Sequence, residues 1–151
     1  MSRKKRIIYS LIAFLIFVQL FQPSENAGLA EGANAISAPA DVAQILKTSC
    51  YDCHSNHTDY PWYTHIQPVG WWLNHHVNEG KEELNFSEFN SYSLKRKLHK
   101  LKEIKEQVSE GEMPMGSYTW IHTDAKLNDE QKAKLLNWAQ QMATSLTDTI
   151  K

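Results

Sequence analysis

The sequence predicts an all-α domain preceded by an N-terminal hydrophobic segment. Three observations carry this expectation. Apolar residues recur at helical spacing in successive stretches after residue 39. Helix start and stop signals bracket those stretches. No convincing strand pattern interrupts them. The 151 residues, 42% hydrophobic and 22% charged, suit one globular domain with accessory segments.

Residues 1–21, "MSRKKRIIYSLIAFLIFVQLF", open on Arg3, Lys4, Lys5 and Arg6 and continue as an apolar run broken only by Ser10 and Gln19. A basic start before such a run is an address rather than part of the fold. We read it as an uncleaved membrane anchor, with a cleaved secretory signal as the alternative. No small-x-small site follows the run at once, although a run of 15 residues is short of the roughly 20 that span a bilayer. In both cases the basic end stays inside and the rest is exported. Without the four basic residues of this segment, 12 Lys and Arg face 17 Asp and Glu. That acidic balance excludes the basic field of a nucleic-acid binder.

Residues 22–38 are rich in Ala, Gly, Ser and Asn and predict a flexible linker. The domain proper is expected over residues 39–146, with a tail at 147–151. "PADVAQILKTSC" starts a helix, with Pro39 tolerated in the first turn and Asp41 facing the positive helix end. Val42, Ile45 and Leu46 form its apolar stripe. "TDYPWYTHIQP" is broken by Pro61 and Pro68 and predicts a loop. "VGWWLNHHVNEG" predicts a helix ending at Gly80. "NFSEFNS" predicts another loop. Leu94, Leu98, Leu101, Ile104 and Val108 then define an amphipathic helix that stops near Gly111. "GEMPMGSYTWIHTDAK" reads as irregular. Asn128 with Gln131 forms a capping box that opens the last helix, whose inner face carries Leu135, Ala139, Met142 and Leu146.

The chemistry lies in "SCYDCHSN". Cys50-x-x-Cys53-His54 has the spacing of a c-type haem attachment site. On a helical turn, residues i, i+3 and i+4 share a face. Both thiols can then reach one porphyrin, with His54 beneath the ring, placed to ligate iron. Export supports this pattern, because the attachment is completed outside the cytoplasm. A distal ligand is available in "GEMP", where Met113 sits in a Gly- and Pro-bounded loop; His and Met commonly hold the haem iron of electron carriers. Met115 is the alternative. His75 or His76 would give bis-His coordination, although a polar surface role suits them better. His57 and His65 are expected in solvent.

Other uses of the cysteines stay open here. A Cys50–Cys53 disulfide closes a very small loop and constrains little chain entropy. A redox dithiol belongs at a strand-to-helix junction, and no strand precedes Cys50. A zinc site would need two of His57, His65, His75 and His76 beside the cysteines. Tyr60, Trp62, Tyr63, Trp71 and Trp72 are expected to wall a haem or pack a core. Tyr118 and Trp120 are expected against the Met loop or a haem edge. The basic run "LKRKLHKLKEIKE" is either a solvated helix face or a dock for an acidic redox partner.

The order helix, C-x-x-C-H, intermediate helices, Met-Pro loop and closing helix resembles the class I cytochrome c plan. More closely, "CYDCHSNHTDYPWY", "HHVNEGKEELNFSEF" and "GEMPMGSYTWIHTDAKL" resemble the small haem-binding domain family of exported bacterial proteins, over about residues 40–143. That resemblance implies one covalent haem c on Cys50 and Cys53, His54 as proximal ligand and Met113 as distal ligand. Relatives often have Met-Pro-Pro where this chain has Met113-Pro114-Met115. The resemblance implies a small cytochrome c-like domain wrapped around the haem. The function expected from residues and resemblance together is an anchored electron-transfer cytochrome rather than an enzyme, working with an unidentified redox partner protein. A haem enzyme or small-ligand sensor with an open sixth position is the first alternative, and a zinc-binding structural module the second.

Overall fold

The computed structural model describes residues 2–148, and these are all-α. Helix α1 (Arg3–Val18) stands apart from the rest. α2 (Ala40–Ser49) and the single turn α3 (Tyr51–His54) carry the cysteine motif. α4 (Val69–Glu83), α5 (Leu94–Glu110), the short α6 (Gly116–Thr119) and α7 (Asp129–Asp148) complete the chain. Two ordered 3-10 turns, Trp62–His65 and Phe86–Ser91, stand where loops are expected. A third, Thr123–Ala125, and α6 fall within the stretch read as irregular. Among the described residues the only bridge, Ala27 with His57, is isolated. Of the expected tail, residues 149–151 lie outside the described residues, and 147–148 belong to α7.

The local signals explain the main helices. Ser93 caps α5 by accepting from the Arg96 amide, and Gly111 ends it at φ 78°, a left-handed conformation that favours glycine. At the start of α7 the Asn128 side chain accepts from the Gln131 amide at 2.8 Å. The Gln131 side chain accepts from the Asn128 amide at 3.0 Å, so the capping box is complete. α5 and α7 pack along their lengths, burying Leu101, Ile104 and Val108 with Leu135, Trp138 and Ala139. α2 adds Val42, Ile45 and Leu46, and Phe86 and Phe89 close the core. Burial of each such side chain contributes about 1.5–3 kcal/mol.

Two expectations need correction. α4 does not end at Gly80 but continues to Glu83. The segment 22–38, expected as a flexible linker, is tied down along the domain. The Asn26 side chain donates to the Ser55 carbonyl and to Thr58 Oγ1, both at 2.9 Å. The Gly28 amide donates to the Asn56 carbonyl, and the Ile36 amide to the Phe86 carbonyl. Ile36 itself joins the core. Small polar residues, read by composition as disorder, are here the ones that let backbone lie close to backbone: a Cβ on Gly28 would sit 2.8 Å from the Asn56 carbonyl oxygen.

α1 is exposed along its length, from Ile7 to Phe17, and only Val18 at its end is buried. Among the described residues no helix is long and apolar enough to cross a membrane.

Candidate cofactor site

α2 ends at Ser49, and Cys50 bends the chain (φ −132°, ψ −37°) before α3. The turn is closed by the Cys53 and His54 amides, which both donate to the Cys50 carbonyl, at 3.2 and 2.9 Å. Cys50, Cys53 and His54 therefore share one face, as the i, i+3, i+4 spacing requires.

That face opens on a cavity of about 420 Å³ lined by Cys50, Cys53, His54, Met113, Met115 and Tyr118, among others. A second cavity of about 310 Å³ shares Cys50, His54, Met113 and Pro114 with it and continues into the apolar interior at Leu46, Phe86, Ile104 and Leu135. Both volumes fall in the range of cofactor sites, roughly 300–1,000 Å³. Met113 lines both cavities, whereas Met115 lines only the first. The Met113 position follows from the end of α5. The Glu112 and Met113 amides both donate to the Gln107 carbonyl, folding the chain back over the last turn beyond Gly111.

His54 Nδ1 lies 2.8 Å from the Gly80 carbonyl oxygen and 3.0 Å from that of Leu84. Carbonyls only accept, so Nδ1 must carry the proton. The Nε2 lone pair is left free, and among the described residues nothing bonds it. This is the arrangement of metal-ligating histidines, whose second nitrogen donates to a carbonyl or carboxylate. Burial pushes the imidazole pKa down and keeps the ring neutral, although the two carbonyls pull the other way. The edge of the Phe86 ring meets the His54 ring at a centroid distance of 6.2 Å.

The approach of α4 that delivers these carbonyls depends on Gly80. A Cβ there would stand 2.6 Å from the Cys53 carbonyl oxygen and 3.2 Å from the Cys53 Cβ. Gly80 is thus a point of close approach, not a helix stop.

Both cysteines are free thiols and half-buried. Burial pushes Cys50 up to about 12, with the neighbouring Cys53 adding to the shift. Cys53 rises to about 11 through burial and the charge of Asp52. A redox dithiol needs the opposite, a thiol whose pKa is lowered by positive surroundings. A zinc site also lacks ligands. Among the described residues no three His, Cys, Asp or Glu side chains cluster closely enough to hold a metal.

The remaining residues sort by position. His76 reaches the rim of the larger cavity and pairs with Glu79 at 3.5 Å, whereas His75 lies in solvent, 3.2 Å from Glu79. His57 and His65 sit far out, beside Asp59 and Glu25. Tyr60, Trp62, Tyr63, Trp71 and Trp72 line neither cavity; they belong to the opposite end of α4 and the turn before it. Tyr118 does reach the cavity, and its hydroxyl donates to Asp52 Oδ2 at 2.6 Å, whereas Trp120 is exposed. Lys100 was hidden in the basic run of α5. Its buried ammonium meets Glu103 at 2.7 Å and Glu83 at 3.1 Å on the wall of the smaller cavity. Burial alone would lower its pKa, but the two carboxylates outweigh it and hold the ammonium charged.

A model of the haem-binding domain family matches residues 13–141. The chain belongs to the haem-binding domain family. No curated protein matches it, and no solved structure does. For a haem-binding domain the fit is direct: free thiols on one face, a neutral histidine with a free Nε2, and an apolar cavity that both reach. Sequence reasoning missed the Gly80 and Leu84 carbonyls and Phe86. Their only trace was a glycine that also resembles a helix end.

Proposed function

We propose that this haem-binding domain carries a single covalent haem c and works as an anchored electron-transfer protein. The observation that supports it best is His54. Its Nδ1 is committed to two carbonyls, and its ring shares a cavity wall with the free cysteines Cys53, immediately before it, and Cys50, one turn earlier, and with Met113. Cys50 and Cys53, both free thiols, would hold the haem through thioethers to its vinyl groups, a thiol addition that needs no oxidant. His54, through its free Nε2, and Met113 are the residues that would hold the iron. Haem bound in this way supplies a one-electron Fe(III)/Fe(II) couple. The chain's own part is to fix the imidazole tautomer, to exclude water with Leu46, Phe86, Ile104 and Leu135, and to set fixed charges near the site through Lys100, Glu83 and Glu103. The basic residues at 3–6 and the exposed apolar α1 favour a membrane anchor, with the domain on the extracytoplasmic side. Cleavage of that segment would leave a soluble periplasmic form. The redox partner is a protein that α5 or the haem edge would meet.

The test is the visible spectrum of protein matured in a host that assembles haem c. A haem stain that survives denaturation, with a bis-thioether pyridine haemochrome, supports covalent attachment. Met113→Ala is expected to abolish the weak long-wavelength band of a methionine-ligated ferric haem, and Met115→Ala to retain it. An unchanged spectrum in Met113→Ala would remove Met113 as ligand. Rapid carbon monoxide binding by the reduced wild type would favour the alternative of an open sixth position.

A further inference from the structure

We propose that the corner of the domain from which α1 emerges rests in the interfacial layer of the lipid bilayer, so that the domain is held against the membrane in one orientation. This rests on the anchoring reading above.

Three observations lead to it. The first is length. The uncharged part of α1, residues 7–18, covers about 18 Å at 1.5 Å per residue, well short of the ~30 Å hydrocarbon layer. Snorkelling by Arg3, Lys4, Lys5 and Arg6 recovers a few ångströms at the far end. The rest of the shortfall must be met by the near end, which draws the domain to the lipid.

The second is attachment. The chain leaving α1 is fastened to the domain and is not a tether. The Gln67 amide donates to Gln19 Oε1 at 2.8 Å, and the Gln67 side chain donates to Gln22 Oε1 at 2.8 Å. The Trp71 indole donates to the Phe21 carbonyl at 2.7 Å. Where the helix goes, this corner follows.

The third is what the corner exposes. Leu20, Phe21, Ile66, Val69, Trp71 and Trp72 are all exposed around the exit of α1. Apolar and aromatic side chains grouped in this way mark an interaction surface. The far end of α1 carries the basic cluster typical of the cytoplasmic face, and the near end is flanked by tryptophans, which are enriched at membrane–water interfaces. Trp71 and Trp72, which line neither cavity, thereby acquire a role. Indole rings with an apolar body and a polar N–H suit the headgroup boundary.

The test is hydroxyl-radical footprinting of the full-length haem-loaded protein in phosphatidylcholine–phosphatidylglycerol vesicles, after flotation to recover the bound fraction. Trp71 and Trp72, 39% and 48% exposed, are expected to oxidise about fivefold more slowly than that exposure dictates. Protein that does not float with the vesicles would overturn the anchoring and the docking together. Protein that floats while Trp71, Trp72 and Ile66 oxidise at full rate would overturn the docking and leave the anchor standing. Protection that appears only at high protein-to-lipid ratio would assign the surface to a second copy of the chain and overturn the bilayer as its occupant.

Discussion

At the scale of single residues, Gly80 decides more than its size suggests. In the interior of a helix an alanine is favoured over glycine by roughly 1 kcal/mol. Here the added methyl would meet the Cys53 carbonyl oxygen at 2.6 Å, and the obstacle is backbone that cannot turn aside. Overpacking of this kind costs about 1–3 kcal/mol, so steric conflict outweighs propensity. Gly80→Ala is expected to lower the thermal midpoint and to loosen the Gly80 carbonyl from His54 Nδ1. Thermal melting reads the first effect. The second reads as a changed haem spectrum or a smaller haem-loaded fraction than wild type. An alanine variant with higher stability and an unchanged spectrum would show that α4 does not need this approach. The case also shows what the sequence can reveal at this scale. The faces of Cys50, Cys53 and His54 follow from their spacing alone. The role of Gly80 does not, because a glycine that ends a helix and one that admits a neighbouring backbone are the same letter. Only the fold brings Cys53, 27 positions earlier, into range.

At the scale of elements, α5 and the start of α7 were legible because they carry their own end signals, whereas Gly80 in α4 pointed to a false end. Ser93 and Gly111 bracket α5, and Asn128 with Gln131 opens α7. The short 3-10 turns were not, since Trp62–His65 and Phe86–Ser91 have too few residues for a periodic pattern. The Phe86–Ser91 turn is held by its partners: the Asn85 side chain accepts from the Ser87 amide, and Ser87 Oγ donates to the Ala30 carbonyl. The capping box gives a direct prediction. α7 packs against α5, far from the cysteine motif in sequence, and its first turn is exposed. Asn128→Ala removes a side-chain acceptor from that turn and is expected to cost about 1 kcal/mol. For a domain of this size that lowers the melting temperature by about 2–6 °C. The haem spectrum should be unchanged, because no residue of the cap lines either cavity. Calorimetry with a spectrum of the same sample checks both halves.

At the scale of the whole molecule, the main difference between composition and structure is the segment 22–38. Its Ala, Gly, Ser and Asn content predicts a chain without a core of its own, and locally that is correct. Composition does not reveal that the domain provides the surface on which the segment lies. The Asn26 side chain donates to Ser55 and Thr58, directly after the cysteine motif, and its Oδ1 accepts from the Lys81 ammonium at 2.6 Å on α4. Ile36, 7% exposed, packs in the core with Phe86 and Leu84. One strap thus spans both elements that hold His54. A flexible linker and a packed strap predict different outcomes for one comparison, a chain starting at residue 22 against one starting at residue 39. If the segment is only a linker, the two melt together. If it is a strap, the shorter chain loses the burial of Ile36, worth about 1.5–3 kcal/mol. It also leaves the Ser55 and Phe86 carbonyls without their partners, each pairing worth about 0.5–1.5 kcal/mol. The expected difference is on the order of 3 kcal/mol, a fall of about 10 °C in melting temperature. Neither chain carries the apolar α1, so aggregation through that helix does not confuse the comparison. Equal midpoints within about 1 °C would mean that residues 22–38 lie on the domain without stabilising it.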